Sequence, residues 1–165
     1  MGYVKYILII VVLIFTACKT AGMLVITDEM VKPILDSEIS LMHNHIEDNS
    51  ILTVLWCDDQ RFALEKDGKI HVTRIAYWIR NYIEQELTNA GRYTIVTRTE
   101  LDFIFEERSL QFHSDDSPDN MTNTAIIVGA RYLIIPVITR FNTLSMRILD
   151  SESGRIVYFT DNNIE

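Results

Sequence analysis

Apolar positions along this chain fall into two clear periodicities. Ile75, Trp78, Ile79, Tyr82, Ile83, Leu87 and Ala90 recur at three- and four-residue steps, while Arg80, Asn81, Glu84 and Gln85 take the other face. That spacing predicts an amphipathic helix, and Gly91 stands where a left-handed C-terminal cap belongs. Ile51 to Trp56 is a continuous β-rich apolar run, which predicts a central strand. Tyr93 to Thr97 and Tyr132 to Phe141 predict two more strands. Thr143 to Leu149 alternates, with Leu144, Met146 and Ile148 on one face; Ser151 to Gly154 turns the chain, and Ile156 to Phe159 closes an antiparallel hairpin. Asp58 to Gly68 reads as a polar loop.

Three further helices are less regular. Thr27 is placed to cap a helix from Asp28 to about Ile46, with acidic Asp28 and Glu29 in its first turn. Its apolar residues Met30, Ile34, Leu41, His45 and Ile46 follow helical spacing only loosely, and Pro33 has to lie in or near the first turn. Thr99, with Asp102 three residues on, predicts the start of a helix running to about Leu110, with Leu101, Ile104 and Phe105 inward. Ser117-Pro118 opens a fourth, carrying Met121, Ala125 and Val128 and ending at Gly129. The order is α, β, α, β, α, α, β, β, β. It predicts an α/β (α+β) single domain: a mixed sheet with helices packed on it and a C-terminal antiparallel hairpin.

The N-terminus follows a different logic. Lys5 precedes an uncharged run, Tyr6 to Ala17, which ends at Phe15-Thr16-Ala17-Cys18. A positive start, an apolar stretch and small residues describe a secretory signal. The run is well short of the about 20 apolar residues that span a bilayer. Small residues before a cysteine resemble the lipobox of bacterial lipoproteins, with Phe15 where Leu is usual. On that resemblance, residues 1–17 are the signal peptide, Cys18 is the lipid-attachment residue and carries palmitate-type chains, 18–27 is a tether, and 28–165 is the folded domain, with its core over 51–165. An ordinary signal peptide, an uncleaved anchor and a buried first strand are the alternatives. Each buried CH₂ of an attached chain adds about 0.8 kcal/mol to membrane binding. Lys19 follows the cysteine where an inner-membrane retention signal carries Asp, which favours the outer membrane, facing the periplasm.

Composition narrows the function. The chain has 165 residues and a net charge of −8, with no Lys/Arg cluster. That argues against a nucleic-acid partner and against an electrostatic grip on anionic lipid. It has two cysteines, so a lipidated Cys18 leaves Cys57 without a disulfide partner. Cys57 reads as a small semi-buried apolar residue, and Asp58 and Asp59 beside it would raise its pKa rather than activate it.

No constellation for chemistry stands out. His43 and His45, two apart on a helix, point to different faces, so joint ligation is disfavoured and one exposed, one partly packed histidine is expected. His71 and His113 are isolated. Asp58-Asp59 and Asp115-Asp116 lie in polar stretches, where solvated carboxylates are the ordinary case. No nucleophile elbow and no phosphate-binding glycine loop occurs among six glycines. No metal, cofactor or catalytic residue is expected. Trp56, Trp78, Tyr82 and Phe112 sit at core-like positions, and Phe112-His113 is the best candidate for an aromatic at a partner surface.

Four segments carry a family resemblance. Gly91-Arg-Tyr-Thr-Ile-Val-Thr-Arg-Thr-Glu-Leu-Asp102 resembles the G-(F/Y)-x-V-V-D-R-x-x-L-D signature of the curli-secretion-like (CsgG-like) lipoprotein superfamily. Ile104 to Phe112, containing Glu106-Glu107, is similar to its I-x-x-E-x-x-x-Q helix. Gly129 to Ile135 is similar to its G-A-x-Y-I-I-x-G strand, and Asp150 to Ile156 to its D-x-(E/x)-T-G-x-I hairpin. The resemblance covers about residues 28–160. Thr97 replaces the usual Asp, and Pro136 replaces a common Gly, which predicts a bulge or an unpaired edge in the third strand.

The superfamily includes the curli secretion channel subunit and the LpoB-like lipoprotein activators of penicillin-binding proteins. The resemblance implies a non-catalytic accessory protein of the cell envelope with a periplasmic protein partner, a peptidoglycan synthase in the nearest analogy, and it leaves a homo-oligomer open. The alternative it implies is a subunit of a curli-type secretion complex. That alternative needs transmembrane hairpins of about 9–11 residues per strand, and Cys57–Ile70 and Gln111–Ser117 are too short and polar to supply them. Metabolic labelling with a palmitate analogue tests the anchor: the native chain takes up label, and Cys18→Ser does not.

Overall fold

The computed structural model describes residues 25–62, 72–97, 100 and 129–165. In chain order the elements are α1 (Asp28–Met42), β1 (Ile51–Val54), β2 (Asp58–Asp59), α2 (Arg74–Asn89), β3 (Thr94–Val96), β4 (Tyr132–Ile138), β5 (Thr143–Asp150) and β6 (Arg155–Asn163). The strands form one mixed, open sheet in the order β3-β1-β4-β5-β6, with β2 also paired to β4. β3 and β4 run parallel to β1; β4, β5 and β6 form an antiparallel meander. The expected α/β architecture and C-terminal hairpin are both present.

The predicted central strand is correctly placed but shorter. β1 ends at Val54, the pairing lapses after the Leu55 N–H, and β2 re-forms it with β4 at Asp58 and Asp59. Pro136 accounts for the gap. Ile134 O accepts from Leu55 N, and Ile138 O accepts from Gln60 N, both at 2.9 Å. Residues two apart present their polar groups to the same side of a strand, so Pro136 faces that neighbour too. Its missing N–H falls where the neighbouring chain has stepped away. The expected interruption therefore lies in the adjacent chain. β4 itself pairs continuously with β5 through Pro136 and Met146, and the register shift lies between Ile148 and Leu149 on the β5–β6 side.

Both helices cover one face of the sheet. Leu52, Val54, Ile134, Ile138, Leu144, Met146 and Ile148 meet Ile79, Ile83 and Leu87 of α2 and Val31, Leu35 and Ile39 of α1 in one core. Leu55, Leu133, Ile135 and Leu149 form a smaller cluster on the opposite face. The helix over residues 74–89 follows its predicted stripe, with two changes: Ala76 is buried where Ala90 is exposed, and Arg80 is buried rather than solvated. Gly91 takes φ +65°, as a left-handed cap requires.

The buried face of α1 is only partly the predicted one: Met30 and Ile34 pack at its edge, and Ile46 is buried just past its end. The helix's buried residues are Val31, Leu35, Glu38, Ile39 and Met42, a stripe at three- and four-residue steps, while Leu41 is exposed. A glutamate in the stripe hides it from hydropathy. Glu38 is satisfied across the sheet: it accepts from Tyr158 Oη at 2.6 Å, from Asn162 Nδ2 at 2.8 Å and from Thr160 Oγ1 at 3.5 Å. Burial, then the Glu38 carboxylate, pushes the Tyr158 phenol above its ordinary pKa, so it stays a donor. The helix ends at Met42 instead of about Ile46. Thr27 occupies the N-cap position but its side chain makes no capping bond, and Pro33 lies past the first turn on the exposed side. At that position the proline removes only a bond to the carbonyl of exposed Glu29.

The two helices predicted after Thr97 fall largely outside the described residues. At the boundary, Glu100 accepts from Thr97 N at 2.7 Å and Thr97 Oγ1 at 2.9 Å. A Glu reaching back three residues is the capping-box contact, made here by Glu100 to Thr97; the expected pair, Thr99 and Asp102, lies outside the described residues.

Glu38→Ala leaves three polar partners facing an apolar helix. The expected cost is about 1–3 kcal/mol in urea unfolding, whereas Leu41→Ala, on the exposed side, changes stability by no more than about 0.5 kcal/mol.

Candidate functional site

The most developed polar site lies at the C-terminal end of β1 and β2. Asp59 is fully buried. Its Oδ1 accepts from Arg61 Nε at 2.8 Å and Arg61 N at 3.4 Å; its Oδ2 accepts from Arg61 Nη2 at 2.7 Å and from Thr73 Oγ1 at 2.8 Å. The Thr73 hydroxyl in turn accepts from Ala76 N at 3.3 Å, capping α2. One carboxylate thus fixes the turn after β2 and the start of α2. This corrects the expectation of a solvated Asp58-Asp59 loop. The reason is local: two residues after Asp59, the Arg61 guanidinium closes a bidentate pair in which both side chains are all but sealed from water. Both oxygens of Asp59 are engaged, so it holds structure and has no free lone pair to act as a base.

Beside this pair opens a cavity of about 510 Å³, walled by Val25, Ile26, Phe62, Ile75 and Trp78, with Thr27, Asp28, Arg61, Thr73 and Arg74 adding polar groups. That volume lies in the range of small-ligand pockets, about 300–1,000 Å³. The Arg61 guanidinium stacks 5.5 Å from the Phe62 ring centroid. The position obeys the rule that open α/β sheets place pockets beyond the carboxyl ends of their parallel strands.

Arg80 is a second buried cation. It is 2% exposed; its Nε donates to Val54 O at 3.1 Å, its Nη2 pairs with Glu84, and its guanidinium lies 5.1 Å from the Trp56 ring. It satisfies the strand carbonyl where β1 leaves the ladder. Arg80 was expected on the polar face, opposite the apolar stripe of the helix.

His43 and His45, just past the end of α1, show the expected split of one partly packed and one exposed residue. His43 is partly packed, with Nδ1 2.8 Å from Tyr93 Oη, and burial, then the Arg92 charge, lowers its pKa. His45 is exposed against the Tyr158 ring. His71, His113, Phe112, Asp115, Asp116 and Cys18 lie outside the described residues. Cys57 is more buried than predicted, at full enclosure; burial first, then Asp59 and Asp58, raises its thiol pKa well out of the nucleophilic range. Trp56 and Tyr82 are half-buried, and Trp78 stacks on Tyr82 at 5.0 Å. No group of three His, Cys, Asp or Glu residues suited to a metal occurs among the described residues.

Residues 79–159 match the family described as Curli production assembly/transport component CsgG. No curated protein matches the chain. The LpoB C-terminal domain from Salmonella enterica superposes with a TM-score of 0.61 at 18% identity, covering 78% of this chain and 93% of that one. The Escherichia coli LpoB C-terminal domain gives 0.58 at 19%, covering 77% and 92%. The NMR structure of E. coli LpoB gives 0.56 at 19%, covering 78% of this chain and 64% of the longer one. At these identities the superpositions establish a shared fold. The chain is thus similar, in fold and over residues 79–159 in sequence, to the CsgG-like and LpoB-like lipoproteins that its motifs resemble. The described motif glycines Gly91, Gly129 and Gly154 all take positive φ, Gly91 at a helix cap and Gly154 at a hairpin turn.

Asp59→Asn removes the charge that balances a buried arginine. It is expected to cost about 3–5 kcal/mol in urea unfolding. Thr73→Val, which loses the cap, is expected to cost about 0.5–2 kcal/mol.

Proposed function

We propose that this chain is a non-catalytic lipoprotein of the cell envelope, held by acylated Cys18 in the outer membrane, whose α/β body binds a protein partner in the periplasm. By resemblance the partner is a peptidoglycan synthase, and the chain acts as an accessory activator of a penicillin-binding protein. The observation that carries this reading is the shared fold with LpoB C-terminal domains, covering 92–93% of those domains, behind a leader that ends at a cysteine. The chemistry agrees with it. Asp59 and Glu38 are consumed by structural hydrogen bonds, and Cys57 is buried with its thiol protonated.

The family match over residues 79–159 supports a second reading, a subunit of a curli-type secretion complex. No described helix is long and apolar enough to cross a membrane, and the segments Cys57–Ile70 and Gln111–Ser117 are short and polar for barrel hairpins. The accessory reading is preferred on those segment lengths.

Pull-down of the acylated protein from native envelopes tests the leading reading. Co-recovery of a cell-wall synthase is expected; recovery of no envelope protein contradicts it. Light scattering after size exclusion addresses the second reading, because a large, detergent-dependent ring would replace the first with a pore.

A further inference from the structure

The two most exposed large apolar residues among those described, Phe141 at 88% and Val25 at 80%, lie at the same end of the molecule. Topology fixes this. Asp59 pairs with Ile138 at the close of β4, and the hairpin carrying Phe141 begins at Thr139. Phe62 N donates to Asp59 O, and Thr73 bonds to the Asp59 carboxylate, so Phe62 and Val72 sit beside that end as well. Val25 and Phe62 wall the cavity there. Phe62 and Val72 are themselves 45% and 46% exposed. Exposed apolar groups gathered around an apolar cavity mark a contact surface rather than ordinary scatter.

The chain itself indicates what covers that surface. Val25 is the first described residue, and seven residue steps separate it from Cys18. Even fully extended, seven steps reach only about 25 Å. A lipid on Cys18 therefore holds this end close to the leaflet. β4 spans Tyr132–Ile138, so the opposite end, with the hairpin at Glu152, is about 20 Å further away.

We propose that the end of the body bearing Val25, Phe62, Val72 and Phe141 rests on the lipid leaflet that holds Cys18, with those side chains in the headgroup–acyl boundary. The proposal rests on the acylated-Cys18 reading. Arg74 and Arg140 are exposed at the same end and suit lipid phosphates. Asp28 and Glu29, exposed nearby, and the net charge of −8 oppose a purely electrostatic contact. The apolar side chains and the tether supply the attachment, the tether by raising the local concentration of bilayer. Docked in this way, the body presents its far end, from the hairpin at Glu152 to the Glu47–Arg131 pair, toward the periplasm.

The test uses the full acylated chain in phosphatidylethanolamine–phosphatidylglycerol vesicles. An environment-sensitive fluorophore is placed on Phe141→Cys, on Val72→Cys, or on Glu152→Cys, with Cys57 buried and Cys18 occupied. Nitroxide-bearing lipid should quench the labels at 141 and 72 and leave 152 bright. Equal quenching at all three positions, or none, in a preparation whose N-terminal peptide carries the acyl group overturns the proposal and leaves the anchor intact. A doubled mass by light scattering with 141 shielded in the absence of lipid assigns the surface to a second copy and also overturns it. An unacylated Cys18 in the native preparation sinks the anchor and the proposal together.

Discussion

The buried Asp59–Arg61 pair decides how this fold is joined. β1 must leave the sheet at Val54, because Pro136 in the neighbouring strand offers no N–H beyond that point. The chain then has to re-enter as β2, turn, and start α2 in the right place. Asp59 makes all three happen by accepting from Arg61 on one side and from the Thr73 cap on the other. An isolated carboxylate buried this completely would be prohibitive; a bidentate guanidinium and a hydroxyl make it tolerable. Arg80 does the same for the Val54 carbonyl. Irregular backbone at a break in a sheet needs partners, and here two arginines supply them.

The same solution recurs across the helical face. Glu38 lies inside the apolar stripe of α1 and bonds to three side chains of β6. It ties the first helix to the last strand, elements far apart in sequence. Each buried acid among the described residues is thus spent on connectivity. Among the described residues the buried carboxylates are committed to donors, and burial raises the pKa of the Cys57 thiol, which fits the accessory role proposed above.

Much of the fold was legible in the sequence, and the misses share a cause. α2, β4 and β5 followed their periodicity because the faces they turn to the main core are apolar, with Arg80 the exception on α2. α1 was legible only in part: Met30 and Ile34 do pack against the core, but the centre of the buried stripe was missed because Glu38 interrupts it. Asp59 looked like a loop acid because one of its partners, Thr73, lies fourteen residues away, and Arg80 looked solvated because its acceptor is a strand carbonyl. Periodicity registers hydrophobic burial; it does not register a polar group buried by pairing. The signal that could have exposed the site is Asp59-Gln60-Arg61 directly after an apolar strand, followed by Thr73 at a helix start. The cavity and its apolar rim were not legible, because residues 25–28, 61–62 and 73–78 converge only in three dimensions.

A lipid-anchored body with a chemically quiet interior is the central claim, and the mass of the native protein purified from envelopes tests it most directly. The account predicts a chain beginning at Cys18 and heavier than its 148 residues by covalently attached acyl groups. An intact Met1 terminus, or an unmodified sulfur at position 18, would contradict it.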